Sequence, residues 1–130
     1  QQLLHEHPRV HLLGFYRDVR PTLVCADILV LPSYREGFPN AVLQAGAMRL
    51  PVIATDINGS NEVIEQGLNG WLVPARNVEA LQQSMLAVMK MPKAELIATG
   101  EFARTRIQKR FEQRNHWQRM LEFYRSLEVH

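Results

Sequence analysis

The feature that most constrains the fold of this chain is a short stretch, residues 28–31, that is apolar at every position. A strand with one face in water alternates apolar and polar residues, whereas a strand in a parallel sheet covered on both sides is apolar throughout. The stretch therefore predicts a doubly covered parallel strand. Further strands are predicted at 10–15, 51–55 and 70–73, and the segments between them have helical character. This alternation predicts an α/β fold with a parallel sheet of about four strands.

The other segments predict flanking helices and a helical C-terminal tail. Pro92 should separate the last flanking helix from the tail, because a proline inside a helix removes a backbone donor and clashes with the preceding turn. We interpret residues 1–130 as a single domain with its core at 9–90 and a helical tail at 91–130. The predicted helices are 20–26, 40–48, 61–65, 77–90 and, as two separate helices in the tail, 93–109 and 114–127.

The composition excludes several classes of function. Apolar residues make up 46% and charged residues 22% of the chain, as is typical of a globular domain. A net charge of +2, without a basic run that carries aromatic residues, argues against a nucleic-acid partner. No segment reaches the roughly 18 apolar residues of a membrane span. The chain opens at Gln1 rather than at a methionine, which we interpret as the sign of a piece excised from a larger protein.

Cysteine and histidine give no sign of a metal site. Cys25 is the single cysteine, lies in an apolar stretch and is expected to be buried and structural. The five histidines lack metal-ligand spacing, and neither a paired-aspartate motif nor a Gly-Lys-Ser/Thr phosphate loop is present. We therefore predict a protein that needs no metal and no bound cofactor.

The segment after residues 28–31 is a strand–loop–helix junction, the place where an α/β sheet presents a ligand. Its loop can turn sharply, and Asn40 is predicted to cap the helix that follows. The first amides of that helix suit a phosphate. Glu36 is placed to accept hydrogen bonds from a ligand's hydroxyls, and Gln44 can face the same cleft one turn later. These residues predict a phosphate-and-hydroxyl site, with an ordinary strand–helix loop as the alternative.

Four motifs in a fixed order carry a resemblance to a known family. They are Asp-Ile-Leu-Val-Leu-Pro-Ser at 27–33, Glu-Gly-Phe-Pro-Asn at 36–40, Pro-Val-Ile-Ala-Thr-Asp at 51–56 and Gly-Leu-Asn-Gly-Trp-Leu-Val at 67–73. In this order and spacing they resemble the C-terminal, donor-binding domain of the retaining GT-B glycosyltransferases of family 4, over about residues 9–90. The resemblance implies a Rossmann-like sheet in a truncated GT-B C-terminal domain.

The resemblance also implies an activity and the residues that carry it. Enzymes of this family transfer a sugar from a nucleotide-sugar to an acceptor with retention of configuration, which we expect here in surface polysaccharide or glycoconjugate assembly. Glu36 matches the catalytic glutamate beside the donor sugar, and Gln44 stands where the family has a glutamate on the ribose. Further donor contacts are expected at Gly37, Phe38, Pro39 and Asn40, at Ser33 with Tyr34, and at Phe15 and Tyr16, which either meet the nucleotide base or serve ordinary packing.

Two departures from the family pattern bear on this reading. The amide of Gln44 offers one accepting oxygen where a carboxylate offers two, so ribose binding should weaken or change its geometry. The two strands and the Arg–Lys pair that open the family's domain are not found, which leaves a gap between the strands at 10–15 and 28–31. We expect either direct pairing of these two strands or an edge that pairs with another copy, and we favour self-association.

The N-terminal domain that supplies acceptor contacts in this family is also missing. We therefore expect a cytoplasmic enzyme of which this fragment alone is inactive. The alternative is a non-catalytic nucleotide-sugar-binding or interaction module with a decayed site, and Gln44→Glu discriminates between the two.

The C-terminal tail is rich in basic residues with interspersed glutamates. A solvated face of mixed charge is the favoured interpretation, and the alternative is contact with anionic lipid head groups at the inner face of the membrane. An apolar stripe should pack on the sheet or on the other domain of the parent protein and be partly exposed in the fragment. The basic residues are Arg104, Arg106, Lys109, Arg110, Arg114, Arg119 and Arg125, and the stripe is Phe102, Phe111, Trp117, Leu121 and Tyr124.

Overall fold

The computed structural model describes residues 6–35 and 39–128, which form a three-stranded parallel sheet flanked by helices. The strands β1 (Leu29–Leu31), β2 (Val52–Thr55) and β3 (Gly70–Val73) lie in that order across the sheet. The predicted α/β class is confirmed. The helices are α1 (Arg20–Val24), α2 (Asn40–Ala47), α3 (Ser60–Val63), α4 (Val78–Met89) and α5 (Lys93–Glu128).

The core is organised around β2, because it is the central strand and all four of its residues are buried. Successive side chains of a strand point to opposite faces. Val52 and Ala54 pack on one face with Val42 of α2, whereas Ile53 packs on the other face with Val88 of α4. Helices therefore cover both faces, which is the arrangement that the unbroken apolar stretches predicted.

The prediction of a fourth strand at 10–15 is wrong. These residues adopt no strand, and Leu12, Leu13 and Phe15 are 57, 54 and 90% exposed. A strand forms only where a neighbour satisfies its backbone donors and acceptors, and none of the described strands lies beside this segment. The segment does not pair with β1 either, so the gap is not closed by direct pairing.

Within the described residues β1 is consequently an edge strand. The N–H of Leu29 donates to Pro51 O at 2.9 Å, towards β2. The peptide groups of successive strand residues point to alternate sides, so those of Val30 face the outer edge. Self-association through this edge stays a prediction.

Cys25 is exposed, which corrects the expectation that it is buried. It directly follows α1, a five-residue helix with no buried residue. Because α1 contacts the core through the partly buried Leu23, a thiol two residues further along lies outside that contact.

The tail is one helix of 36 residues, α5, where two helices were predicted. No proline or glycine occurs between residues 109 and 114, so nothing in the sequence ends the helix there. At 1.5 Å per residue, α5 is about 54 Å long. Trp117, Leu121 and Tyr124 in its second half are 61, 54 and 58% exposed, as expected of the apolar stripe in the isolated fragment.

The first half of α5 packs on the C-terminal end of α2. Gly100 approaches so closely that a Cβ there would lie 2.1 Å from Arg49 O. Arg104 donates to Ala47 O at 2.7 Å, and Arg49 forms an ion pair with Glu101 at 2.8 Å. These contacts fix α2 at one end, while its other end begins at the predicted site.

Two further arginines of α5 are bound to the domain. Arg106 pairs with Glu65 at 2.6 Å, and Arg110 donates to Glu62 O at 3.3 Å. Arg104 is half-buried, whereas Arg106 and Arg110 stay exposed beside their glutamates, which agrees with a solvated face of mixed charge. For the other four basic residues both alternatives stay open.

Candidate functional site

The carboxyl ends of the three parallel strands meet at one edge of the sheet, where three loops gather. Residues 32–39 follow β1, residues 56–59 follow β2 and residues 74–77 follow β3. The predicted phosphate-and-hydroxyl site lies in the first of these loops and at the start of the helix that it enters.

The start of α2 differs from the prediction. Pro39 is buried and forms the N-cap with φ −81° and ψ 56°, whereas Asn40 is already helical, so the prediction of Asn40 as N-cap is wrong. None of the described side chains caps this helix. Its first backbone bond runs from Leu43 N–H to Pro39 O at 3.0 Å. The amides of residues 40–42 therefore lack an intrahelical acceptor and, with the helix dipole, suit an anion.

The predicted site residues fall into two groups. Glu36, Gly37 and Phe38 lie outside the described residues, and their roles stay predictions. Asn40 and Gln44 are both exposed, and their spacing of four residues places them on the same face of α2. The helix thus leaves both side chains accessible to a ligand.

Phe15 and Tyr16 lie in a segment without regular secondary structure and are 90 and 54% exposed. Neither makes a ring contact or a hydrogen bond with any other described residue. The exposure of Phe15 and Tyr16 therefore does not support ordinary packing for these residues. Their contact with a nucleotide base stays a prediction.

Two contacts that were not predicted join the first loop to the end of β2 and to the third loop. Thr55, at the end of β2 and only 4% exposed, donates its hydroxyl hydrogen to the carbonyl of the half-buried Ser33 at 2.5 Å. Arg76, in the third loop, holds its guanidinium carbon 5.6 Å from the centre of the Tyr34 ring. A threonine suits any strand and an arginine suits any turn, so only the tertiary structure could identify these contacts.

One carboxyl group near the first described helix has a perturbed pKa. The Arg20 guanidinium and backbone amide donate hydrogen bonds to Asp18 at 2.8 to 3.1 Å and lower the pKa of that carboxyl. The pair is exposed and lies at the start of α1, two residues after Tyr16.

The described ranges contain no cluster of three or more His, Cys, Asp or Glu side chains that could hold a metal ion. Metal independence stays a prediction. None of the helices in these ranges is long and apolar enough to cross a membrane.

A concavity of about 260 Å³ lies at the opposite, amino edge of the sheet, where the turn before β3 faces α5. It is lined by the apolar side chains of Leu68 and Phe102 together with polar residues that include Lys109. The ion pair between Glu65 and Arg106 forms part of the same wall. This groove was not predicted from the sequence.

Comparison with known sequences identifies relatives over most of the chain. Residues 1–91 match the family described as "Glycosyl transferases group 1". The chain is 34% identical over 80 residues to the UDP-Gal:alpha-D-GlcNAc-diphosphoundecaprenol alpha-1,3-galactosyltransferase of Escherichia coli, covering 62% of this chain and 21% of that protein. It is 33% identical over 112 residues to the putative colanic acid biosynthesis glycosyltransferase WcaL of Escherichia coli K12, covering 80% of this chain and 28% of that protein.

Comparison with solved structures gives the same picture of the fold. Sucrose-phosphate synthase from Thermosynechococcus elongatus superimposes with a TM-score of 0.83 at 27% identity, over 98% of this chain and 33% of that one. Anabaena Alr3699/HepE, solved in complex with UDP-glucose, superimposes with a TM-score of 0.80 at 23% identity, over 96% of this chain and 34% of that one. The chain therefore spans about a third or less of the length of these proteins.

Proposed function

This chain belongs to the family of group 1 glycosyl transferases, and we propose that it is the donor-binding part of a longer enzyme that transfers a sugar from a nucleotide-sugar with retention of configuration. The observation that carries the proposal is the uncapped start of α2. It follows the Glu-Gly-Phe-Pro-Asn loop directly and lies at the carboxyl edge of the sheet. An uncapped helix terminus that follows a carboxylate residue by four positions in the sequence suits a diphosphate joined to a sugar.

In the proposed reaction, the bond between the anomeric carbon and the diphosphate oxygen breaks on the face where the acceptor oxygen bonds to that carbon. The nucleoside diphosphate leaves with the electron pair, and its departing oxygen accepts the proton of the acceptor hydroxyl. The amides of residues 40–42 and the dipole of α2 stabilise this leaving charge, a task for donors that are already oriented. Glu36 positions the sugar, and Gln44 holds the ribose. The reaction in this proposal needs no metal ion.

We place the enzyme in the assembly of a surface polysaccharide or glycoconjugate. The relatives named for colanic acid biosynthesis and for a diphosphoundecaprenol substrate support this placement. A lipid-linked acceptor would bring the enzyme to the inner face of the membrane. Arg114, Arg119 and Arg125, on the exposed half of α5, are the cations proposed to contact anionic head groups there.

The role of Glu36 is tested by transfer assays on the full-length protein. Glu36→Ala should lower kcat/KM on the order of a hundredfold, because a group that acts on the reacting sugar is lost. Glu112→Ala is the matched control, since Glu112 is exposed on α5 and far along the chain from the loop. Equal turnover by the two variants would contradict the proposed role.

The position of Gln44 favours a second candidate, a module that binds nucleotide-sugars without catalysis. In an active enzyme, Gln44→Glu should tighten donor binding roughly tenfold, because a carboxylate accepts hydrogen bonds more strongly than an amide. Binding without turnover, by both the native protein and this variant, would instead establish the non-catalytic module.

A further inference from the structure

We infer that Arg76 is a positioning residue for the loop that carries Glu36, acting through the ring of Tyr34; this inference rests on the proposed function. The Arg76 guanidinium carbon lies 5.6 Å from the centre of the Tyr34 ring, within the range at which a cation is attracted to an aromatic face. Tyr34 precedes Glu36 by two residues. A contact that holds the ring therefore restricts the backbone that leads to the proposed catalytic carboxylate.

The backbone of Arg76 shows that the arginine occupies an unfavourable position. Its φ is +57°, in the left-handed region that favours glycine. The next residue, Asn77, caps α4 by accepting a hydrogen bond from Ala80 N at 2.9 Å, so the turn is anchored to a helix. The anchored turn therefore keeps Arg76 in this strained conformation. Unlike a glycine, the arginine provides a side chain that lies over the Tyr34 ring.

A second contact holds the same loop from the other side. The hydroxyl of the buried Thr55 donates to Ser33 O, directly before Tyr34. At the far end of the loop, the buried Pro39 forms the N-cap of α2. Between these two anchors, the contact with Arg76 is a further restraint on Tyr34. A restrained loop loses less conformational freedom when it binds a donor.

The chain contains a matched control for the strain at Arg76. Arg49 is also an arginine with a positive φ, +60°, but it follows α2 at the opposite edge of the sheet. Its side chain pairs with Glu101 and has no contact with Tyr34. Arg76→Gly and Arg49→Gly each remove one arginine and relieve the strain of one positive φ. The two variants differ in that Arg76 contacts Tyr34, whereas Arg49 pairs with Glu101.

The experiment is amide hydrogen exchange on this chain without ligand, with peptides that cover residues 32–40. Arg76→Gly should speed exchange in this segment about threefold, the size expected for loss of one exposed cation–π contact, without lowering the melting temperature. Tyr34→Leu should give the same change, whereas Arg76→Lys, which keeps a cation, should stay close to native. Arg49→Gly should leave the segment unchanged.

The same variants are then titrated with UDP-glucose and with UDP. Weaker binding by Arg76→Gly and native-like binding by Arg76→Lys would extend the positioning role to donor binding. Unchanged exchange at 32–40 in Arg76→Gly would overturn the inference, whatever the titrations show. Faster exchange together with no binding of either probe, by the full-length protein as well as by this chain, would support the contact between Arg76 and Tyr34 and count against a uridine nucleotide as the donor in the proposed function.

Discussion

Thr55 shows how one hydroxyl group can couple the ends of two strands. The strand propensity of threonine predicts its place in β2, and the sequence predicted that strand correctly. The partner of its hydroxyl, the Ser33 carbonyl, is 22 residues away in the chain, so no local pattern could indicate it. The contact of Arg76 with Tyr34 was not predicted for the same reason. The burial of Cys25 was predicted wrongly, because burial depends on neighbours that are distant in sequence.

Replacing Thr55 by valine removes this hydroxyl and keeps the shape of the side chain. We expect Thr55→Val to lower the free energy of unfolding by about 1 kcal/mol, the usual net value of one hydrogen bond. We also expect faster amide exchange at residues 32–40. Urea denaturation measures the first effect. Thr99→Val is the control, because the Thr99 hydroxyl donates to Glu95 O within α5, and it should leave exchange at 32–40 unchanged.

Among the elements, the boundaries that rest on proline, glycine and apolar pattern were predicted best. β2, β3 and α4 lie where the pattern placed them, and Asn77 caps α4 as expected. The strand at 10–15 failed because it has no described neighbour to pair with, and the break in α5 failed because no residue there ends a helix. Local sequence signals thus indicate where a helix or a strand can form. A strand forms only if a neighbouring strand pairs with it.

The contact between α2 and α5 depends on two glycines of unequal importance. Gly100→Ala should lower the free energy of unfolding by about 2–3 kcal/mol, because its Cβ would meet the rigid backbone oxygen of Arg49 at 2.1 Å. Gly46→Ala should cost less than about 1 kcal/mol, because its Cβ would meet the movable side chain of Ile107 at 2.9 Å and alanine favours the helix. Denaturant titration of both variants tests this ranking, and equal losses would contradict it.

The molecule as a whole has two surfaces without partners among the described residues. One is the outer edge of β1, and the other is the apolar stripe on the second half of α5. An exposed edge was one of the two alternatives that the sequence left open, and helical spacing grouped the apolar residues of the stripe. The helix α2 begins at Asn40, as the sequence predicted, whereas the contacts of Ser33 and Tyr34 involve residues distant in the chain and required the structure.

We predict that the isolated chain self-associates through the α5 stripe in addition to any pairing at the β1 edge. The double variant Trp117→Glu, Leu121→Glu should weaken this association about tenfold or more, because burying either carboxylate in an apolar interface is unfavourable. Analytical ultracentrifugation over a range of concentrations measures it, with Gln113→Glu as a control for added charge on the same helix. If the native chain and the double variant associate equally, the self-association is assigned to the β1 edge alone.

We propose that this chain binds the nucleotide-sugar donor at the start of α2. The most direct measurement is isothermal titration calorimetry of this chain and of the full-length protein against a panel of nucleotide-sugars and nucleoside diphosphates, with Glu36→Ala and Glu112→Ala variants. We predict that the full-length protein binds one nucleotide class, that Glu36→Ala weakens binding of the sugar-bearing form more than that of the diphosphate, and that Glu112→Ala changes neither. Absence of binding to every member of the panel, by the full-length protein as well as by the chain, would contradict the account.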